Sequence, residues 1–504
     1  MTTDNYDLRL GEDDVPGSLA VDPAVAPSAM GEPIETPPPP PRQGDLTSGP
    51  ILRTLVAFAV PALIGNMLQT INGSINAVWV GQLLGENAVA ATANATMIMF
   101  LMFGTVFGFG MATTISVGRH FGAGHIDAAR RSFGGGIGFC MGLAIVIAVL
   151  GWLYADHVLQ LMSTPPAIRG EAMSYLRITF ASMPFTTVAL MVGMGLRGAG
   201  DAKTPLYSSI LGMIVDVTLN PFLIRGIGPF PQMGIAGSAV SGAIAAVVSM
   251  SANVIMLYAR NLPLRLRGRE LVYLLPGPAV VRYMLTKGLP MGGQMLMTTA
   301  AGLMFLGLVN REGVLATAAY GASLQLWNYI QMPAMAVGQA ISTMVAQNIG
   351  ARRHDRVSAI TRTGLAVTLL FTSALAVPVL VFDRPVLSLF LGAGSPAVPL
   401  ARHIQMVCTW SFILSGVMMV LFATMRAYGS VLVPLVVMFV AMYPVRFGFY
   451  LVALPWLGAD AVWWAYPAGS AASVTLALLA WKHGPWRKAR AALMASPAVS
   501  PTRP

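Results

Sequence analysis

From Ile51 onward the chain is a succession of long apolar runs, separated by short breaks that contain Gly, Pro or Arg. The hydrocarbon core of a bilayer is about 30 Å thick, which ~20 mostly apolar residues can cross as a helix. The runs predict spanning helices over 54–80, 88–116, 133–154, 172–195, 205–225 and 233–259, then over 280–309, 315–345, 359–382, 401–425, 432–455 and 459–482. The expected fold class is therefore an all-α integral membrane protein with twelve transmembrane helices. An even number of spans puts both chain ends on one side.

The pattern repeats. Residues 117–131 (VGRHFGAGHIDAARR) align with 345–359 (VAQNIGARRHDRVSA) at an offset of 228, pairing Val117 with Val345, Gly122 with Gly350 and Asp127 with Asp355. The pattern R-x-x-G-x-x-x-x-P occurs at Arg197, Gly200 and Pro205 and again 229 residues later at Arg426, Gly429 and Pro434. Pro61 and Pro290 are also 229 apart. Six spans per repeat give both repeats the same orientation, so two pseudo-symmetric six-helix lobes are expected. That is the plan of a transporter whose halves rock about a central cavity. A duplicated receptor or scaffold is the blander alternative, and the tie between internal symmetry and alternating access favours transport.

Composition narrows the class. Of 504 residues 55% are hydrophobic and 10% charged, against roughly 25% charged in soluble domains, which excludes an ordinary cytosolic enzyme. The net charge of +11 hides a split, because nine of the 20 acids lie in the first 50 residues beside only Arg9 and Arg42. That segment, with Pro37 to Pro41 in a row, buries too little apolar surface to offset the entropy of ordering and is expected to be disordered. It has no basic start followed by an apolar run, so it does not read as a signal peptide. With the termini inside, 24 Lys and Arg fall on the inner side and 6 on the outer, Arg446 standing apart. Both termini are therefore expected to be cytoplasmic and the protein to lie in the cell membrane. The expected plan is an acidic tail at 1–50, lobes at 51–260 and 281–482, a basic linker at 261–280 and a basic tail at 483–504.

Basic loops can touch anionic lipid headgroups. No soluble surface combines them with stacking aromatics, so nucleic acid is not an expected partner. Cys140 and Cys408 are isolated in apolar stretches and suggest neither a disulfide nor a metal site. No nucleophile–base pair, metal-spaced set or P-loop is present, so the chain does not read as an enzyme or a direct user of ATP.

At the repeated landmarks the chain resembles the multidrug and toxic compound extrusion (MATE) family of efflux transporters, from about 51 to 482. The features that carry the resemblance are Pro61, NAVWVGQLLG at 76–85, VGRHFGAG at 117–124 and LRGAGDAKTP at 196–205, with LNPFLI at 219–224 and VWWAYP at 462–467. The resemblance implies two six-helix lobes in a V that exchange H+ or Na+ for amphipathic, often cationic compounds. No cofactor beyond that coupling ion is expected, and the protein is expected to act as a monomer on a small-molecule substrate. The alternatives are a flippase or exporter of a lipid-linked or anionic metabolite and, more remotely, an intramembrane enzyme.

A charge near mid-bilayer costs roughly 3 kcal/mol or more, so each one needs a reason. Within the predicted helix interiors only Asp216 and Arg446 are ionisable. Asp216 precedes Asn220 by four residues and shares its helix face. A carboxylate so placed can take up a proton or hold a monovalent cation. The resemblance implies acids at Asn76, at Asn220 and at Thr298, none of which is acidic here, so the coupling set is partly replaced. Asp216, with Asn76 and Asn220 as partners, is the expected relocated ion site, for H+ before Na+. Asp127, Asp201 and Asp355 read as loop or capping residues. Gln325, Trp327, Asn328 and Tyr329 are the substrate-contact candidates, because polar and aromatic groups together on a spanning helix face protein or water. Arg446 joins them, its role open between contact with an anionic substrate group, pairing with a distant carboxylate and snorkelling to an interface, while Trp463, Trp464 and Tyr466 read as an interfacial belt. Pro61 and Pro290 are expected bending points.

Overall fold

The computed structural model describes residues 44–161, 166–392, 394–484, 486–487 and 491. The disorder expected of residues 1–43 and most of the basic tail lie outside the described residues. Among those described there is no strand. The first lobe contains α1 (Ile51–Leu84), α2 (Glu86–Gly122), α3 (Ile126–Leu161), α4 (Pro166–Gly198), α5 (Lys203–Arg225) and α6 (Ile235–Ala259). In the second lobe α7 runs through Pro278–Tyr283, a π-helical turn at Met284–Gly288, and Leu289–Arg311. It is followed by α8 (Val314–Gly350), α9 (His354–Val381) and α10 (Ala397–Ala427). Then α11 runs through Leu432–Val440, a π-helical turn at Ala441–Val445, and Arg446–Leu457, and α12 is Asp460–His483. Each helix covers one predicted run. Several overshoot it, as α2 does by continuing to Gly122, because apolarity marks the bilayer while backbone hydrogen bonding carries the helix beyond it.

The repeated R-x-x-G-x-x-x-x-P is a stop-and-restart signal. Gly200 (φ +86°) and Gly429 (φ +80°) take the left-handed conformation that closes a helix. Gly200 and Asp201 donate to the carbonyls of Arg197 and Leu196 at 2.9 Å, while Gly429 and Ser430 donate to Arg426 and Met425 at 2.8 and 3.1 Å. Pro205 and Pro434 then fall in the first turn of the next helix, where no N–H is needed.

In the first lobe α4 packs on α2, α3 and α6, and α5 sits between α1 and α6; in the second, α10 packs on α8, α9 and α12. The lobes meet through α2 against α7 and α8, at the end that carries the basic loops. There the backbones touch: a side chain at Gly108 would strike Gly292, one at Gly122 would strike Gln347, and one at Gly350 would strike Arg119. Side chains donate to helix-end carbonyls at this seam: Arg119 Nε reaches Ala427 O across it at 2.9 Å and Gln347 Nε2 reaches Gly198 O across it at 3.0 Å, while within the second lobe Lys287 Nζ reaches Gly429 O at 2.8 Å.

The tail boundary drawn at residue 50 needs correction, because residues 44–50 are ordered against this seam. Leu46 is buried, and its N–H donates to Gln347 Oε1 at 3.0 Å while its carbonyl accepts from Asn348 Nδ2 at 3.2 Å. Arg353 and Arg356 donate to the carbonyls of Thr47 and Gly49. Asp45 shapes the strap by accepting from the Thr47 amide (2.8 Å), the Thr47 hydroxyl (2.6 Å) and the Ser48 hydroxyl (3.1 Å). Partial burial pushes the Asp45 carboxyl up, but these hydrogen bonds and nearby Arg353 outweigh it and hold it below its ordinary value. The strap's stabilisation is thus complete above the ordinary carboxylate range and is lost as pH falls through the lowered value. Asp45→Ala should speed amide exchange at Leu46 and Thr47 about tenfold at neutral pH, and acid should lower the protection of these amides, relative to their intrinsic exchange rates at that pH, in the unmodified chain. Unchanged exchange in the variant would refute this role.

The linker is also packed. Leu262, Leu264 and Leu266 are buried, and Arg130 of α3 holds Glu270 at 2.7 Å and the Pro263 carbonyl at 2.9 Å.

Candidate functional site

The inward face of α5 is a polar stripe at four-residue spacing: Ser208, Gly212, Asp216 and Asn220 are all buried. Small and hydroxyl side chains let α6 approach closely, as expected where helices associate without a hydrophobic driving force. Asp216 is 7% exposed and lies between α1 and α6. Asn72 Nδ2 of α1 donates to its Oδ2 at 2.8 Å, and the Ser241 hydroxyl of α6 donates to its Oδ1 at 2.6 Å. One turn along, Asn220 Nδ2 donates to Asn76 Oδ1 at 2.6 Å, and the Ser238 hydroxyl donates to the same oxygen at 2.6 Å. Tyr175 of α4 faces Asn76 and Thr96 beside this second rung.

The site is thus a two-rung ladder between α1 and α5, closed by two serines of α6. Asn76, Asn220 and Asp216 do come together, but not as the direct partners expected. The two amides pair with each other, and the carboxylate pairs with Asn72 and Ser241. Asn72 escaped the sequence reading, although a signal existed: Asn72/Asn76 and Asp216/Asn220 share one i,i+4 spacing, so parallel rungs can form. The oxygens Asn72 Oδ1 and Asn220 Oδ1 are buried without a hydrogen-bond partner.

In the second lobe Arg446 is 8% exposed and lies over the rings of Phe305 and Tyr466, 4.4 and 3.3 Å from their centroids. Tyr466 also packs on Trp327 at 5.3 Å and bonds the Tyr320 hydroxyl. Trp327 Nε1 donates to Gln405 and Thr409, each at 3.1 Å. Trp327 and Arg446 therefore share one aromatic cluster. Gln325 is half-buried, and Asn328 and Tyr329 are exposed on another face of α8. The interfacial belt is corrected for two of its three members: Trp463 is 1% exposed and stacks on Tyr320, and Tyr466 is part of this cluster, leaving Trp464 exposed. Asp201 caps α5 by accepting from the backbone of Lys203 and Thr204 at 2.9 and 3.0 Å, as a loop residue should. Pro61 lies inside a continuous α1, whereas Pro290 stands two residues after the π-helical turn of α7.

The MatE family model matches residues 61–222 and again 290–452, one copy in each lobe, each beginning at the leading proline. The chain belongs to the MatE family. This MatE protein is 33% identical over 428 residues to the probable multidrug resistance protein YoeA of Bacillus subtilis, covering 84% of this chain and 92% of the relative. It is 27% identical over 447 residues to the probable multidrug resistance protein YpnP of the same organism, covering 88% and 97%. A crystal structure of MATE in the bent conformation superposes with a TM-score of 0.80 at 19% identity, over 89% of this chain and 98% of that one. The fold is that of MATE transporters. The MatE protein is a multi-pass membrane transporter, not an enzyme.

Proposed function

We propose that this MatE transporter exports amphipathic drugs or toxic organic compounds by alternating access, in exchange for H+ before Na+, with Asp216 as the coupling residue. Two relatives named as probable multidrug resistance proteins support the export of drugs. The observation that carries the coupling is a buried carboxylate with no cationic partner among the described residues, held by three helices of one lobe. The other buried acid among the described residues, Asp383, is paired with Arg402 at 2.8 Å.

The hydrogen bonds suggest how a proton would act. Ionised Asp216 is acceptor-only and takes one donor from α1 and one from α6. A protonated carboxyl gains an O–H donor, which needs an acceptor nearby. The unpartnered Asn72 Oδ1 is the acceptor that a flip of its amide would present. Protonation therefore re-pairs the α1–α5 rung, and Pro61 is the point at which α1 can bend in response. Asn76 and Asn220 hold the neighbouring rung. Gln325, Asn328 and Tyr329 offer polar and aromatic contacts to substrate from α8, with Trp327 behind them. Pro290, after the π-helical turn of α7, is the second hinge. Both termini are assigned to the cytoplasm of a monomer in contact with membrane lipid.

The test is drug efflux from proteoliposomes under separately imposed gradients. A proton gradient should drive efflux and a sodium gradient should not. A protein that responds to neither is no antiporter.

A further inference from the structure

Asp216 and Arg446 hold equivalent places in the two lobes. The family match is one residue longer in the second lobe, 290–452 against 61–222. The π-helical turn Ala441–Val445, with Pro444 inside it, takes up one extra residue just before Arg446. The place of Asp216 in the first repeat therefore falls on Arg446 in the second. Phe305, against which Arg446 lies, is 229 residues after Asn76 of the neighbouring rung. Where one lobe sets a carboxylate among amides and hydroxyls, the other sets a guanidinium against aromatic rings.

That guanidinium is incompletely satisfied. Its Nε and Nη2 are buried with no hydrogen-bond partner. These two nitrogens share one edge of the planar fork, the edge that grips a carboxylate side-on. The ring faces of Phe305 and Tyr466 offset part of the cost of burying the charge, but a ring face cannot accept in-plane N–H donors. Among the described acids of this lobe, Asp383 pairs with Arg402, Asp460 pairs with His403 at 3.0 Å, and Glu312 and Asp355 are exposed.

The geometry points to Arg446 as the receptor for an anionic group, a carboxylate, phosphate or sulfonate, carried by the exported compound. This rests on the transport reading above and names the substrate class it leaves open: amphipaths with an anionic head, because a buried guanidinium repels cations.

The test is equilibrium binding of labelled 1-naphthoate to the purified full chain, competed by 1-naphthamide, 1-naphthylmethylammonium, chloride and inorganic phosphate. Naphthoate should bind about tenfold or more tighter than its neutral amide, the scale of charge-assisted hydrogen bonds. Arg446→Gln should erase that preference, and Arg446→Lys should keep part of it. Equal affinity for naphthoate and naphthamide in the unmodified protein overturns the assignment, whatever the variants do. Displacement by chloride or phosphate at affinities equal to that of naphthoate overturns it too, by making this a site for free inorganic anions. Binding needs no gradient, so failure of proton-driven efflux with the anion preference intact would sink the antiport reading alone.

Discussion

Asp216→Asn should reduce proton-driven efflux to the rate seen without a gradient, while leaving folding and substrate binding intact. The amide matches the carboxyl in shape and can still hydrogen-bond Asn72 and Ser241, so the three helices stay tied. It cannot titrate, so the rung can no longer change with pH. The expected loss is therefore total for coupling and small for affinity. Asn72→Ala tests the same idea from the other side. It removes a donor to a buried charge, worth about 1.5–3 kcal/mol, and should weaken efflux while leaving some gradient dependence. The comparison is made in proteoliposomes with the gradient on and off. Asp216→Asn that still follows the proton gradient would remove Asp216 from the mechanism.

Gly122→Val and Gly350→Val should each prevent the basic end from closing. At both positions the added carbon would fall on a backbone carbonyl, of Gln347 and of Arg119 respectively, and neither can move aside as a side-chain tip could. Overpacking of this kind typically costs 1–3 kcal/mol, roughly a 5- to 150-fold shift against the closed state. Spin labels at the ends of α2 and α8 should report a longer, broader distance distribution, and efflux should fall in proportion. An unchanged distance distribution would show that the seam yields without opening.

The two predictions draw on differently legible parts of the chain. Gly122 and Gly350 were visible in the repeat alignment as a pair, but their contact with the opposite lobe was not. Asp216 was visible as an acid where acids are scarce, yet its partners were misassigned by one helical turn. Arg446 was visible as a lone basic residue inside a predicted span, and the π-helical turn before it aligns it with Asp216. Trp463 and Tyr466 look like interfacial anchors in one dimension and are lobe core in three.

Twelve spans, the repeat and the expected sidedness of the basic loops were legible from the order of residues alone. Each depends on a local quantity: the apolarity of some twenty residues, the spacing of a short motif, or the charge of one loop. The tertiary structure alone decided that Asn72 meets Asp216, that Arg446 lies over Phe305 and Tyr466, and that residues 44–50 strap the seam. Such pairings need the rotation and register of each helix. In a soluble protein an apolar stripe reveals that rotation. A membrane helix is apolar toward lipid and partner alike, so its rotation is set by close packing with its neighbours.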